Sequence, residues 1–210
     1  MKPEAADSPE VGGTALLPRS RDRILLAASV LGAFVCGFAL HDKGIVLGEE
    51  GQILAEAEAI LRGKVLYRDI DAFVAPGVWY LGALIFKIAG TDLNATRWAM
   101  VLLSMATAAL IYLFSRQVSS PAYAFGSVLF FVALRVFSFP LGNFLFYTEF
   151  SLFFGLAATY GLLRARRGAP ERWLLATGLA AALAFLFKQN IGGVAIIVVA
   201  GAFEDDVDAR

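Results

Sequence analysis

The sequence predicts an all-α polytopic membrane protein, with about six transmembrane helices plus two interfacial helices in its first outer loop. Three observations carry that expectation. Apolar residues make up 59% of the chain and charged residues only 17%, with Phe occurring 18 times, a mixture more apolar than soluble domains use. The apolar residues fall in long runs, and the arginines collect at alternate ends of those runs. The formal net charge of zero hides this segregation.

The first segment, residues 1–18, is polar and contains Pro and Gly, and is expected to be a disordered cytoplasmic N-terminus. Arg19, Arg21 and Arg23 then precede an apolar run over residues 24–40. That run resembles the core of a signal peptide, but no small-x-small cleavage pattern follows it, so it reads as a first span. Further spans are expected over residues 95–114, 122–137, 144–163, 173–187 and 191–203, several of them shorter than the roughly 20 residues of a full crossing. Residues 204–210 form an acidic cytoplasmic tail. The domain they bound is 19–203, with its first outer loop at 41–94.

Orientation follows from the basic residues in the short loops. Arg19, Arg21 and Arg23, then Arg116, then Arg164, Arg166, Arg167 and Arg172 all fall on one side in this arrangement, which is therefore cytoplasmic. The first outer loop, the turn at 138–143 and Lys188-Gln189-Asn190 share the opposite face. The expected setting is a bacterial-type plasma membrane with the active face outward. The stretch 74–89 is apolar, yet it contains Pro76, Gly77, Gly82 and Lys87, and counting it as a span would break the charge rule for every later loop. It reads as an interfacial helix, with Trp79 and Tyr80 at the headgroup boundary. Residues 50–62 read as the other helix, because Ile53, Ala57, Ile60 and Leu61 share one face and Gly63 offers a left-handed stop.

Some chemistries are excluded. A lone Cys36 forms no intrachain disulfide, and a single His41 rules out a multi-histidine metal site. The basic residues sit in short loops beside spans, which is membrane topology and not a nucleic-acid surface.

The acidic window at 46–71, with Glu49, Glu50, Glu56, Glu58, Asp69 and Asp71, is what a simple anchor would not need. Glu49-Glu50-Gly51, a helix, Gly63, Tyr67-Arg68-Asp69, Pro76-Gly77, Gly90 and then Arg97 resemble the first outer loop of GT-C membrane glycosyltransferases. The resemblance is to their protein O-mannosyltransferase and aminoarabinose-transferase branch, in its bacterial form. It extends over most of residues 45–200, and also covers Glu149 in "FLFYTEFSLFF" and Lys188-Gln189 in "LFKQNIGG". Two departures stand beside it. Glu49 occupies a position where the family usually has Asp, and the chain stops at Arg210 where relatives continue, so a truncated or degenerate member is one reading.

The resemblance implies transfer of a sugar from a polyprenyl-phosphate donor to a glycan, lipid or protein acceptor at the outer face. Such transfer needs an acceptor for the incoming proton and positive charge near the departing phosphate. Glu49 and Glu149 are the candidate catalytic residues, able to position the acceptor or to hold a divalent cation through oxygen ligands. Glu50, Tyr67, Arg68, Asp69, Arg135, Lys188 and Gln189 are the candidate substrate-binding residues, with Arg able to grip a phosphate bidentately and Lys acting as a point charge.

Each has a plainer reading. Glu49 and Glu50 would favour the positive end of the following helix, Lys188 would snorkel to the interface, and Arg68-Asp69 would be a solvated surface pair. Glu149 lies within an apolar segment, where a paired or functional role is the default. The alternatives to an enzyme are a non-catalytic or truncated protein that binds a lipid phosphate, and a small accessory membrane protein. A transporter is disfavoured, since the polar residues gather at one face and not at mid-membrane.

Overall fold

A computed structural model describes residues 20–46 and 48–208, with side chains as far as Ala202. The segment expected to be disordered, 1–18, lies outside the described residues. The elements in order are α1 (Ser20–Leu40), α2 (Glu49–Leu61), α3 (Gly77–Ala89), α4 (Leu93–Ser115), α5 (Pro121–Phe137), α6 (Tyr147–Arg166), α7 (Arg172–Phe187) and α8 (Gln189–Asp208). Among the described residues the regular structure is helical, apart from an isolated bridge between Leu66 and Ile70. α8 continues through Asp208 and so takes in most of the segment expected as a tail.

Local chemistry sets several boundaries. The Asp92 side chain accepts from the Asn94 backbone N–H at 3.0 Å and caps α4. Pro121 opens α5, where its missing N–H costs nothing. Gly63 follows α2 at φ 93°, the left-handed stop that its position predicts.

The six longer helices alternate in direction, and side-chain bonds tie like ends together. At one end Asn143 donates to the Leu40 carbonyl at 2.6 Å and Arg97 donates to the His41 carbonyl at 3.1 Å. At the other, Arg116 Nε donates to Asp22 at 2.8 Å and Arg167 reaches Gln117 at 2.8 Å. The arginines of 116 and 164–172 thus share one end of the bundle, while Glu49, Glu149 and Lys188 belong to helix termini at the other. α1 packs on α4 and α5 around Ala33, Ala108, Tyr112, Ala124 and Val128. α6 packs on α7 and α8 through Ala158, Ala180 and Ala181, small residues that let the helices approach closely. The outward surface carries large apolar side chains such as Leu31, Leu102, Phe130, Leu175 and Ile197, as a lipid-facing belt would.

Helices stand at the six expected positions, but among the described residues only Ser20–Leu40 and Leu93–Ser115 are both long and apolar enough to cross a membrane by themselves. α5 has 17 residues and α7 has 16, so at about 1.5 Å per residue both fall short of a hydrocarbon core of about 30 Å. The all-helical expectation holds among the described residues, and two of the six expected spans have the length and apolar character of a crossing.

The two helices of the first loop do not lie free along a surface. α3 is clamped between α2 and the end of α7: a Cβ on Gly77 would meet the Leu186 carbonyl at 2.7 Å, and one on Gly82 would meet Ala57 at 3.0 Å. Trp79 is 3% exposed, within the cluster formed with Val78, Phe150 and Phe187, so it is not the headgroup residue expected, whereas its neighbour Tyr80 is half exposed. The Trp79 indole N–H donates to Glu56, which binds α3 to α2 and satisfies a buried polar group.

Candidate functional site

Glu49 and Glu50 open α2 side by side but face different surroundings. Glu50 is 3% exposed. Both of its oxygens accept from Arg97, at 2.9 to 3.0 Å, and the Val46 N–H donates to it at 3.2 Å. Arg97, also 3% exposed, donates as well to the carbonyls of His41 and Gly44. A buried charge pair is tolerable only with this degree of hydrogen bonding. The Glu50 carboxylate, a candidate for substrate binding, is occupied as the clasp that holds the start of α2 to α1 and α4. Glu49, one residue earlier, remains exposed.

Glu49 opens α2 at the same end of the bundle as the first turn of α6. Its carboxylate is within electrostatic reach of the Tyr147 hydroxyl, at the first position of that helix. The Lys188 ammonium sits 5.1 Å from the centre of the Tyr147 ring and donates to Thr148 Oγ1 at 3.0 Å. Lys188 can reach there because α7 ends at Phe187 and the backbone of Lys188 is extended, φ −153°, before α8 begins. Glu149, in the same first turn, pairs with Arg135 from the end of α5 at 3.2 Å, and Arg135 also donates to the Gly142 carbonyl. Beneath the turn, Phe144 and Leu145 are each 1% exposed and fix where α6 starts.

Tyr147, Thr148 and Glu149 are each half-buried, and their turn brings the Glu149 carboxylate together with two cations, Arg135 from α5 and Lys188 from the α7–α8 junction. Sequence reading had named Glu49, Glu149, Arg135 and Lys188 but missed Tyr147 and Thr148. The signal available was the pair of hydroxyl residues immediately before Glu149 in an otherwise aromatic stretch.

The loop residues stand apart from this cluster. Arg68 and Asp69 pair with each other at 2.8 Å, and Asp69 also accepts from the Val65 N–H at 2.8 Å. The Arg68 guanidinium, then that N–H, hold the Asp69 carboxyl down at about 2. Tyr67 adopts φ 67° and donates its hydroxyl to the Val74 carbonyl at 2.6 Å, which closes the turn. Gln189 is exposed at the first position of α8. Among the described residues no group of three His, Cys, Asp or Glu side chains is placed to hold a metal ion. Behind Arg135 lies a cavity of about 10 Å³, lined in part by Cys36, Ser104 and Asn143, room for about one water.

The profile of the dolichyl-phosphate-mannose-protein mannosyltransferase family matches residues 74–204, more than half of the chain. Arg97, Arg135, Tyr147, Thr148, Glu149, Lys188 and Gln189 lie inside the match, whereas Glu49, Glu50, Tyr67, Arg68 and Asp69 precede it. No curated protein and no solved structure matches the chain significantly. With the family profile covering α3 to α8, and with them Arg135, Tyr147, Thr148, Glu149 and Lys188, the chain belongs to the dolichyl-phosphate-mannose-protein mannosyltransferase family.

Proposed function

We propose that the protein is a GT-C-type glycosyltransferase that moves a sugar from a polyprenyl-phosphate donor to an acceptor hydroxyl or amine at the outer membrane face. The observation that carries this reading is the first turn of α6, where Lys188 meets Tyr147 and Thr148 and Arg135 meets Glu149, at the end of the bundle where Glu49 is exposed. In the transfer, the acceptor heteroatom bonds to the anomeric carbon as the bond from that carbon to the phosphate oxygen breaks. The acceptor proton passes to Glu49, and the phosphate leaves with the bonding electron pair. Lys188 stabilises the charge developing on that phosphate. Glu149, held by Arg135, orients the acceptor from the neighbouring position. The arginine-rich end of the bundle lies on the cytoplasmic side by the charge rule, which puts the cluster on the outer face of a plasma membrane.

The test is Glu49→Gln, which keeps size and polarity and removes the proton acceptor. Turnover with an identified polyprenyl-phosphate sugar should fall by about 10²–10⁴-fold, with donor binding nearly unchanged. Equal turnover in variant and parent would remove Glu49 as the base, whereas donor binding without turnover in the parent would favour a protein that holds a lipid phosphate without transferring its sugar.

A further inference from the structure

Away from the acidic end, the flank of α1 carries an open groove of about 640 Å³, walled by Leu26, Ala27, Val30, Leu31 and Phe34 with Met105 of α4 opposite, and Arg23 at its foot. We propose that this groove binds one anionic phospholipid of the leaflet at the arginine-rich end, its acyl chain along α1 and its phosphate on Arg23. This site is independent of the sugar-transfer reading and lies at the other end of the bundle.

Three features argue for that occupant. The first is length. Arg23 and Phe34 are eleven residues apart in a continuous helix, which is about 16 Å at about 1.5 Å per residue, close to half of a hydrocarbon core of about 30 Å. One leaflet's acyl chain therefore reaches from the Arg23 level to Phe34. The second is closure at the far end, where Phe34 is stacked on Phe38 with ring centres 5.8 Å apart and bounds the groove near mid-membrane.

The third is charge. Asp22, the adjacent carboxylate, is 5% exposed and turned inward, accepting from the Tyr112 hydroxyl at 2.9 Å and from Arg116 Nε at 2.8 Å. Arg23 is exposed beside it, a guanidinium at the polar end of an otherwise apolar channel. A phosphodiester satisfies that cation through charge-assisted hydrogen bonds, and a neutral headgroup does so less well. Ala27 is the smallest side chain lining the groove, so a Phe there takes up space that an acyl chain would use.

The full chain in phosphatidylcholine nanodiscs containing a minor fraction of phosphatidylglycerol, released and weighed by native mass spectrometry, reads the retained lipid directly. The parent should retain phosphatidylglycerol in preference to phosphatidylcholine, at up to one molecule per chain. Arg23→Gln should weaken that preference about fivefold, and Ala27→Phe should abolish retention with Arg23 still present. Unchanged retention in both variants overturns the proposal. So does a loss confined to Arg23→Gln, which would mean a headgroup contact without a chain in the groove. A dimer in pure phosphatidylcholine that Ala27→Phe converts to monomer would assign the groove to a second copy of the chain instead.

Discussion

Arg97 at the start of α4 and Glu50 in the first turn of α2 meet 2.9 Å apart across 47 residues of sequence, each only 3% exposed. The pair places Glu49 by fixing the residue beside it. Removing one partner strands a buried charge, so Arg97→Met should destabilise the protein by about 3–5 kcal/mol. The double variant Glu50→Leu/Arg97→Met should recover much of that loss, because neither charge is left unpaired. Thermal unfolding in detergent, followed by far-UV circular dichroism, compares the three proteins. A double variant no better than Arg97→Met would refute the clasp.

Lys188 has a hydrogen bond to Thr148 and a ring contact to Tyr147, yet remains half-buried and able to meet a ligand. Lys188→Ala should weaken binding of a polyprenyl-phosphate donor by about ten- to a hundredfold, from the roughly 1.5–3 kcal/mol of a hydrogen bond to a charged group. Thr148→Val removes only the positioning contact and should cost less. Donor affinity measured by titration separates the two variants, and equal affinities in Lys188→Ala and parent would reduce Lys188 to an interface anchor.

The Asp69 carboxyl titrates at about 2 because Arg68, then the Val65 N–H, hold its charged form. Its folded value is depressed below the ordinary carboxylate range of about 3.9. The order it gives the α2–α3 loop is therefore fully present above about pH 4 and is lost as pH falls toward 2. Carboxyl carbon shifts by nuclear magnetic resonance should place the midpoint near 2 in the parent and higher in Arg68→Gln. A midpoint unmoved by that substitution would show that Arg68 is not the main cause.

The turn from α7 into α8 depends on Gly192, where a Cβ would lie 2.1 Å from the Phe185 backbone. Gly192→Ala should cost about 1–3 kcal/mol, as overpacking does, and should displace Lys188 at the same turn. The expected signature is a lowered unfolding temperature together with weakened donor binding. Full stability in the variant would mean that the two helices separate there without cost.

Topology has its own test. In a Cys36→Ala background, a cysteine at Lys64 should react with a membrane-impermeant reagent in intact cells, whereas one at Gly168 should react only after permeabilisation. Labelling of both from one side would overturn the six-span arrangement.

Helix positions were legible because hydropathy and periodicity are local properties: each run must bury or shed its own apolar side chains, whatever it packs against. The gathering of arginines at one end followed from the same counting, since alternating helices bring alternate loops together. The fates of individual side chains were not written locally. Glu49 and Glu50 are chemically alike and adjacent, yet Arg97 buries one and leaves the other exposed. Trp79 looked like a boundary residue until α2 and α7 closed over it. Tyr147 and Thr148 gained a role only when Lys188, 40 residues beyond Thr148, folded back onto them. Asp22, set among arginines at the start of α1, chose Arg116 and Tyr112 some 90 residues away. Composition determined that this chain makes a bundle of apolar helices with its charges at the two ends. Packing decided which of those charges neutralise one another and which stay available, because a side chain's partner depends on distance in space and not on separation along the chain.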